Sequence, residues 1–183
     1  MSDTTDGQHL CLESDRDGDV VLRYSKLEFD IPISFRVSSK VLRLACPVFA
    51  RMLSPSFKEG HELLQDDRAV IELEDDDPSL MELIMNILHY QADGAKHAVD
   101  AEKLARLAIH CDKHDRTEAL SPWAATWFMK LEEKKSLRPK YGFQLPAAYF
   151  FNDPGPFSKI RKAATSGLAP RCPAQWSRED ILA

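Results

Sequence analysis

The sequence lacks most of the features that would commit it to a chemistry. It holds no GxGxxG, GxxxxGK[ST], HExxH or GxSxG, so the motifs that cradle nucleotides, hold a proteolytic zinc or build a hydrolase elbow are missing. Cysteine is sparse: Cys11, Cys46, Cys111 and Cys172 are scattered without a CxxC pair. Reduced thiols are the expectation, three of them beside apolar residues where a small buried sulfur fits. Charge-free runs such as Tyr141–Asn152 stop well short of the ~20 apolar residues that a membrane-spanning helix needs. Positive charge is not in excess either. A net charge of −5 argues against binding along a phosphate backbone, so neither nucleic acid nor membrane is an expected partner. The opening MSDTTDGQHL has no basic stretch followed by an apolar one, so no secretory signal is expected and the reading is intracellular, in cytoplasm or nucleus.

What is present describes an ordinary folded chain. At 183 residues, with 44% hydrophobic and 29% charged side chains, it can bury a core without disulfides or metals. No repeat or low-complexity stretch interrupts it. Residues 1–15 are polar and aperiodic, which predicts a flexible tail. Val20, Val21, Leu22 and Tyr24 predict a first strand after the turn-like Asp17-Gly18. In LEFDIPISFRV, apolar residues stand at every second position from Leu27 to Val37, predicting a half-buried strand in a hairpin with the first. Pro32 cannot donate to a ladder, so that strand is expected at an edge or interrupted there. AVIELE, from Ala69, predicts a third strand.

Helix signals fill the rest. Ser38-Ser39 offer caps to a short helix carrying Val41, Leu42, Leu44 and Ala45, and Pro47 opens a second with Val48, Phe49, Met52 and Leu53. Residues 54–69 read as a long, charged, exposed loop with Phe57 as its lone anchor. A helix from Pro78 to about Tyr90 carries Leu80, Leu83, Ile84, Ile87 and Leu88 on one face. Asp100 caps another with Ala101, Leu104, Ala105, Ala108 and Cys111. Ser121-Pro122 opens a third with Trp123, Trp127 and Leu131, and Asp153 caps a last one ending before Gly167. Strands first and helices after predict the α+β class.

Few clusters tempt a chemical reading. In HCDKHD, His110 and His114 lie one turn apart on a helix, but two ligands do not make the four of a structural zinc site. The plainer reading puts Cys111 in the core and His110, Asp112, Lys113 and His114 on a solvated face. The acids of Glu74–Asp77 suit the start of a helix better than acid–base work. Arg161, Lys162 and Arg171 form only a thin basic patch. No catalytic, cofactor or metal site is expected.

The order of elements resembles the BTB/POZ family. GDVVLRY looks like its opening acidic residue and strand, FRVSSKVLRLACPVFARML like its strand end and two short helices, and IELEDDDPSLMELIMNILHY like its strand, acidic turn and Tyr-ended helix. LARLAIHCDKHDRTEAL is similar to its later helix pair, and SPWAATWF to the continuation in stand-alone fungal members. The likeness spans about residues 16–135. It implies a BTB/POZ domain over 16–120, a small three-stranded sheet surrounded by helices, then a C-terminal helical extension over 121–167 and a tail over 168–183.

The resemblance also implies partners, which are proteins. Phe57-Lys58-Glu59 resembles the hydrophobic-x-Glu element by which BTB adaptors hold a cullin ubiquitin-ligase scaffold, and Tyr90 stands where the cullin-facing helix ends. The plain alternative is that Phe57 tethers the loop, Glu59 is solvated and Tyr90 is core. Members that form homodimers imply an interface at Asp19 and Lys40, although the family's usual His and basic residue are Ser38 and Ser39 here. Three functions follow in order: an adaptor linking a client to a cullin-based ligase, a self-associating or transcription-associated scaffold, and a metal protein or enzyme using His110, Cys111 and His114.

Overall fold

Three short strands, β1 (Leu10–Glu13), β2 (Val20–Tyr24) and β3 (Ile33–Val37), come first, and β4 (Ala69–Leu73) follows after three helices. The computed structural model describes residues 10–24, 32–73, 76–91, 99–133 and 141–167, and the chain divides into two units, Met1–His97 and Ala98–Ala183. The class is α+β, with a mixed sheet in the first unit ordered β1-β3-β2-β4. β2 runs antiparallel to β3, while β1–β3 and β2–β4 are parallel.

Period-two alternation decides which side of the sheet is covered. Val20, Leu22 and Tyr24, Phe35 and Val37, and Ala69, Ile71 and Leu73 are all buried, with the Tyr24 ring edge-on to Phe35 at 5.8 Å. The opposite side carries cross-strand ion pairs, Arg23–Glu72 at 3.2 Å and Arg36–Glu13 at 3.8 Å. Exposed pairs contribute at most about 1 kcal/mol each, against roughly 1.5–3 kcal/mol for each large side chain buried. The apolar face therefore holds the sheet.

The expected three-stranded sheet and the expected tail over residues 1–15 are corrected here. Among the described residues the sheet has four strands, because Leu10–Glu13, assigned to the tail, forms β1 beside β3. Its residues are mostly exposed, Cys11 included, so no apolar alternation announces it. Backbone bonds hold it instead: Leu10 N–H donates to the Pro32 carbonyl at 3.0 Å, and Ser14 N–H to that of Arg36 at 3.1 Å. β3 is an interior strand that begins just after Pro32, whose carbonyl still accepts. The expected strand over 27–31 and the Ser25-Lys26 connection lie outside the described residues.

The first unit adds α1 (Ser39–Ala45), α2 (Pro47–Met52), α3 (Lys58–Asp66) and α4 (Pro78–Leu88). Pro47 and Pro78 each occupy the first helical turn, and Asp77 caps α4 by accepting the Ser79 N–H at 2.8 Å. α4 is buried on nearly every side, from Leu80 and Met81 to Met85 and Ile87. The exposed loop expected over 54–69 is instead largely helix α3. Its mostly polar surface hides the helical period, while Gly60 presses so closely on the preceding turn that a Cβ would lie 1.9 Å from the Ser54 carbonyl oxygen.

The second unit is helical: α5 (Ala101–Lys113), α6 (Thr117–Glu133), α7 (Tyr141–Phe150) and α8 (Pro154–Gly167). α5 packs on α6 and α7, and α7 on α8. Small residues on α5, Ala101, Ala105 and Ala108, are buried as expected, and Asp100 caps it by accepting the Lys103 N–H at 2.8 Å. α6 begins at Thr117, ahead of the expected Ser121-Pro122 start. Pro122 lacks the N–H that would reach the Glu118 carbonyl, and the Ser121 hydroxyl donates to that oxygen at 3.0 Å in its place. Trp127 is buried while Trp123 stays partly exposed. Asp153 caps α8 through the Gly155 N–H at 3.1 Å, and the expected tail from 168 lies outside the described residues. Among the described residues, no helix is long and apolar enough to cross a membrane.

Candidate interaction site

Asp19, placed at the start of β2 by the Gly18 turn, reaches across to the start of α1. One carboxylate oxygen accepts the Ser39 N–H at 2.7 Å and the other accepts the Ser39 hydroxyl at 2.7 Å. The Ser38 side chain makes no cap, so the cap expected locally comes from twenty residues upstream. Burial raises the Asp19 carboxyl, but the Ser39 hydroxyl and N–H bonds and the charge of Lys40 together hold it below its ordinary range. Lys40 is exposed and acts on Asp19 through its field, with no ion pair between them.

A second link ties α4 to the same corner. The Ser38 N–H donates to His89 Nε2 at 3.0 Å, and His89 Nδ1 lies 2.8 Å from the Met85 carbonyl. That pattern requires a neutral ring protonated on Nδ1. Beyond it, the Ser14 hydroxyl meets the Asn86 side chain at 3.3 Å and Gln91 donates to the Ser14 carbonyl at 3.2 Å. The end of α4 is thereby fastened to both the β1–β2 and β3–α1 connections.

Tyr90 follows directly. α4 closes with the Tyr90 N–H on the Ile87 carbonyl at 3.2 Å and the Gln91 N–H on that of Asn86 at 2.8 Å, the paired bonds of a Schellman ending. The position between helix and exit must be left-handed, and Tyr90 takes it at φ 58°. Glycine is usual there, and a bulky side chain costs roughly 1–2 kcal/mol. Tyr90 is 93% exposed, so no core contact compensates. The alternative that it is core is overturned.

Phe57 and Glu59 sit together at the start of α3. Phe57 precedes the helix in extended conformation and is 50% exposed, more than a tether would be. Glu59 lies in the first helical turn, half-buried, where the dipole favours its charge, and makes no hydrogen bond or ion pair among the described residues. Tyr90 ends a different helix. The structure thus pairs Phe57 with Glu59, and Asp19 with Ser39.

Leu44 is the residue that sequence reasoning misplaced. Grouped with Leu42 as apolar spacing, it is 89% exposed while Leu42 is buried. Two residues apart on a helix is about 200°, so the two cannot share a face. Lys40 and Leu44, one turn apart, make the outward side of α1 instead. The solvated-face reading of HCDKHD is also corrected: His110 and His114 are buried with Cys111, their ring centroids 5.1 Å apart, while Asp112, Lys113 and Asp115 are exposed.

No family model matches the chain, and no match is found among curated proteins.

Proposed function

We propose that this chain is a protein-interaction adaptor of the BTB/POZ type that docks a cullin scaffold through Phe57, Glu59 and Tyr90. The observation that supports the reading is the state of those side chains: two aromatics in water at helix ends, and a carboxylate with its acceptors open. Side chains held by rigid helix termini lose little freedom on docking, and an apolar anchor beside one charge fixes orientation. The sequence resemblance names the partner class. Binding of purified cullin to immobilised chain tests it: a Phe57→Ala, Glu59→Ala double variant is expected to bind at least tenfold more weakly. Full retention of binding removes the mechanism.

A second reading is favoured by one observation, the outward Leu44 with Lys40 on α1. It makes the chain a self-associating scaffold joined through that helix, with Asp19 acting indirectly by holding α1 in place. Sedimentation distinguishes them: a dimer that Leu44→Asp converts to monomer supports association, and a monomer at high concentration ends it.

A further inference from the structure

Where α5 and α7 end and α6 and α8 begin, an open cavity of about 610 Å³ is lined by Asp112, Thr117, Tyr149, Phe150, Asp153 and Phe157, among others. We propose that it receives an arginine or lysine side chain presented by a partner protein. The helix ends themselves do not choose a ligand charge, since two negative and two positive termini meet here and oppose one another. Nor do three of the helix-end carbonyls, which already accept backbone N–H groups. The Asp115 N–H takes that of Asp112 at 3.1 Å, the Asn152 N–H that of Tyr149 at 2.9 Å, and the Asp153 N–H that of Ala148 at 3.0 Å.

Formal charge decides instead. Among the described residues, Asp112 and Asp153 are the only carboxylates in the lining, and no basic residue accompanies them. Asp112 makes no hydrogen bond or ion pair through its carboxylate among the described residues, and Asp153 uses one oxygen on the Gly155 N–H and leaves the other open. Around them stand aromatic rings. Tyr149 is 69% exposed and lies edge-on to Phe150 at 5.5 Å, so a ring face is offered to solvent. Carboxylates to pair with a cation and aromatic faces to cover it are the two elements that recognise a guanidinium or ammonium group.

The neighbouring surface favours a peptide over a free amine. A second, smaller cavity of about 340 Å³ shares Asn152–Pro154 with the first and is walled by Pro122, Ala124, Ala125 and Phe151. Its short apolar walls suit the residues flanking a basic side chain. This cavity is independent of Phe57, Glu59 and Tyr90, so its occupancy and cullin binding can fail separately.

The test is a titration of the ¹⁵N-labelled full chain with acetyl-Ala-Ala-Arg-Ala-Ala-amide and its Leu and Glu counterparts. The Arg peptide is expected to shift the amides of Asp112, Thr117, Tyr149 to Asp153, Gly155 and Phe157, and to bind about tenfold more tightly than the other two. Asp112→Asn and Tyr149→Ala should each weaken it severalfold without disturbing the rest of the spectrum, because both side chains are exposed. Equal binding of the Leu peptide, undiminished binding in both variants, or no localised shift at about 5 mM peptide would overturn the proposal.

Discussion

The two units solve the same problem, fixing helix ends, with bonds of different reach. In Met1–His97 local caps at Asp77 and Cys46 are joined by stitches long in sequence: Asp19 to Ser39, Ser38 to His89, Ser14 to Asn86 and Gln91. In Ala98–Ala183 they are mostly local: Asp100 to Lys103, Ser121 to Glu118, Asp153 to Gly155, with Lys159–Glu132 as an exposed exception. A sheet whose neighbours come from distant parts of the chain brings other elements close enough to supply caps. Helices joined by tight turns can cap themselves.

Three paired substitutions probe that difference, beginning with the largest effect. Gly60 and Gly155 both lie in the first turn of a helix, yet a Cβ at Gly60 meets backbone at 1.9 Å and one at Gly155 meets only the Asp153 side chain at 3.4 Å. Gly60→Ala is expected to cost about 3 kcal/mol and Gly155→Ala to cost nothing or to stabilise slightly, as read by urea unfolding. Equal effects would remove the contrast in packing.

The caps come next. Asp19→Ala leaves a buried Ser39 hydroxyl and N–H without their acceptor and should cost about 2 kcal/mol, against about 1 kcal/mol for Asp100→Ala. The pH dependence has a definite sign. Asp19 is held below its ordinary 3.8 in the folded chain, so its contribution is complete above that value and is lost as pH falls through the lower folded value. Thermal melts of wild type and Asp19→Asn should therefore draw together as the pH falls below 3.8, and a gap that stays constant there would contradict the geometry.

The smallest effect is a gain. Tyr90, Asp115 and Asn152 all take the left-handed position after a helix, at φ 58°, 52° and 50°. Asparagine and aspartate tolerate it and tyrosine does not. Tyr90→Gly should stabilise by roughly 0.5–1 kcal/mol while weakening cullin binding, and Asn152→Gly should change stability by a few tenths at most. A chain that loses stability at Tyr90→Gly would show that the ring has a folded-state contact after all.

Much of the fold was legible because its signals are local. β2 and β4 follow from alternation, α4 from a continuous apolar stripe, and α5 and α8 from Asp100 and Asp153. β1 was not, since an exposed strand held by backbone pairing leaves no pattern in its side chains. α3 was hidden by its polar surface, and the start of α6 by a proline whose missing bond a neighbouring serine replaces. Of the candidate site, Phe57, Glu59 and Tyr90 could be named from a short motif and a helix end. Leu44 was obscured because seven residues are too few to define a face, and His89 because its acceptor role depends on a segment fifty residues away.

Composition and local pattern set the class of the chain, the apolar face of its sheet, the bodies of its main helices and its net negative charge. Those properties depend on residues a few positions apart, where periodicity and capping chemistry act. Only the tertiary structure decided that Asp19 caps α1, that Tyr90 stands strained and open to water, and that Asp112 and Asp153 share one cavity with three aromatic rings. The first and last of these join residues from different elements, and the physics of such a meeting exists only after the chain has folded.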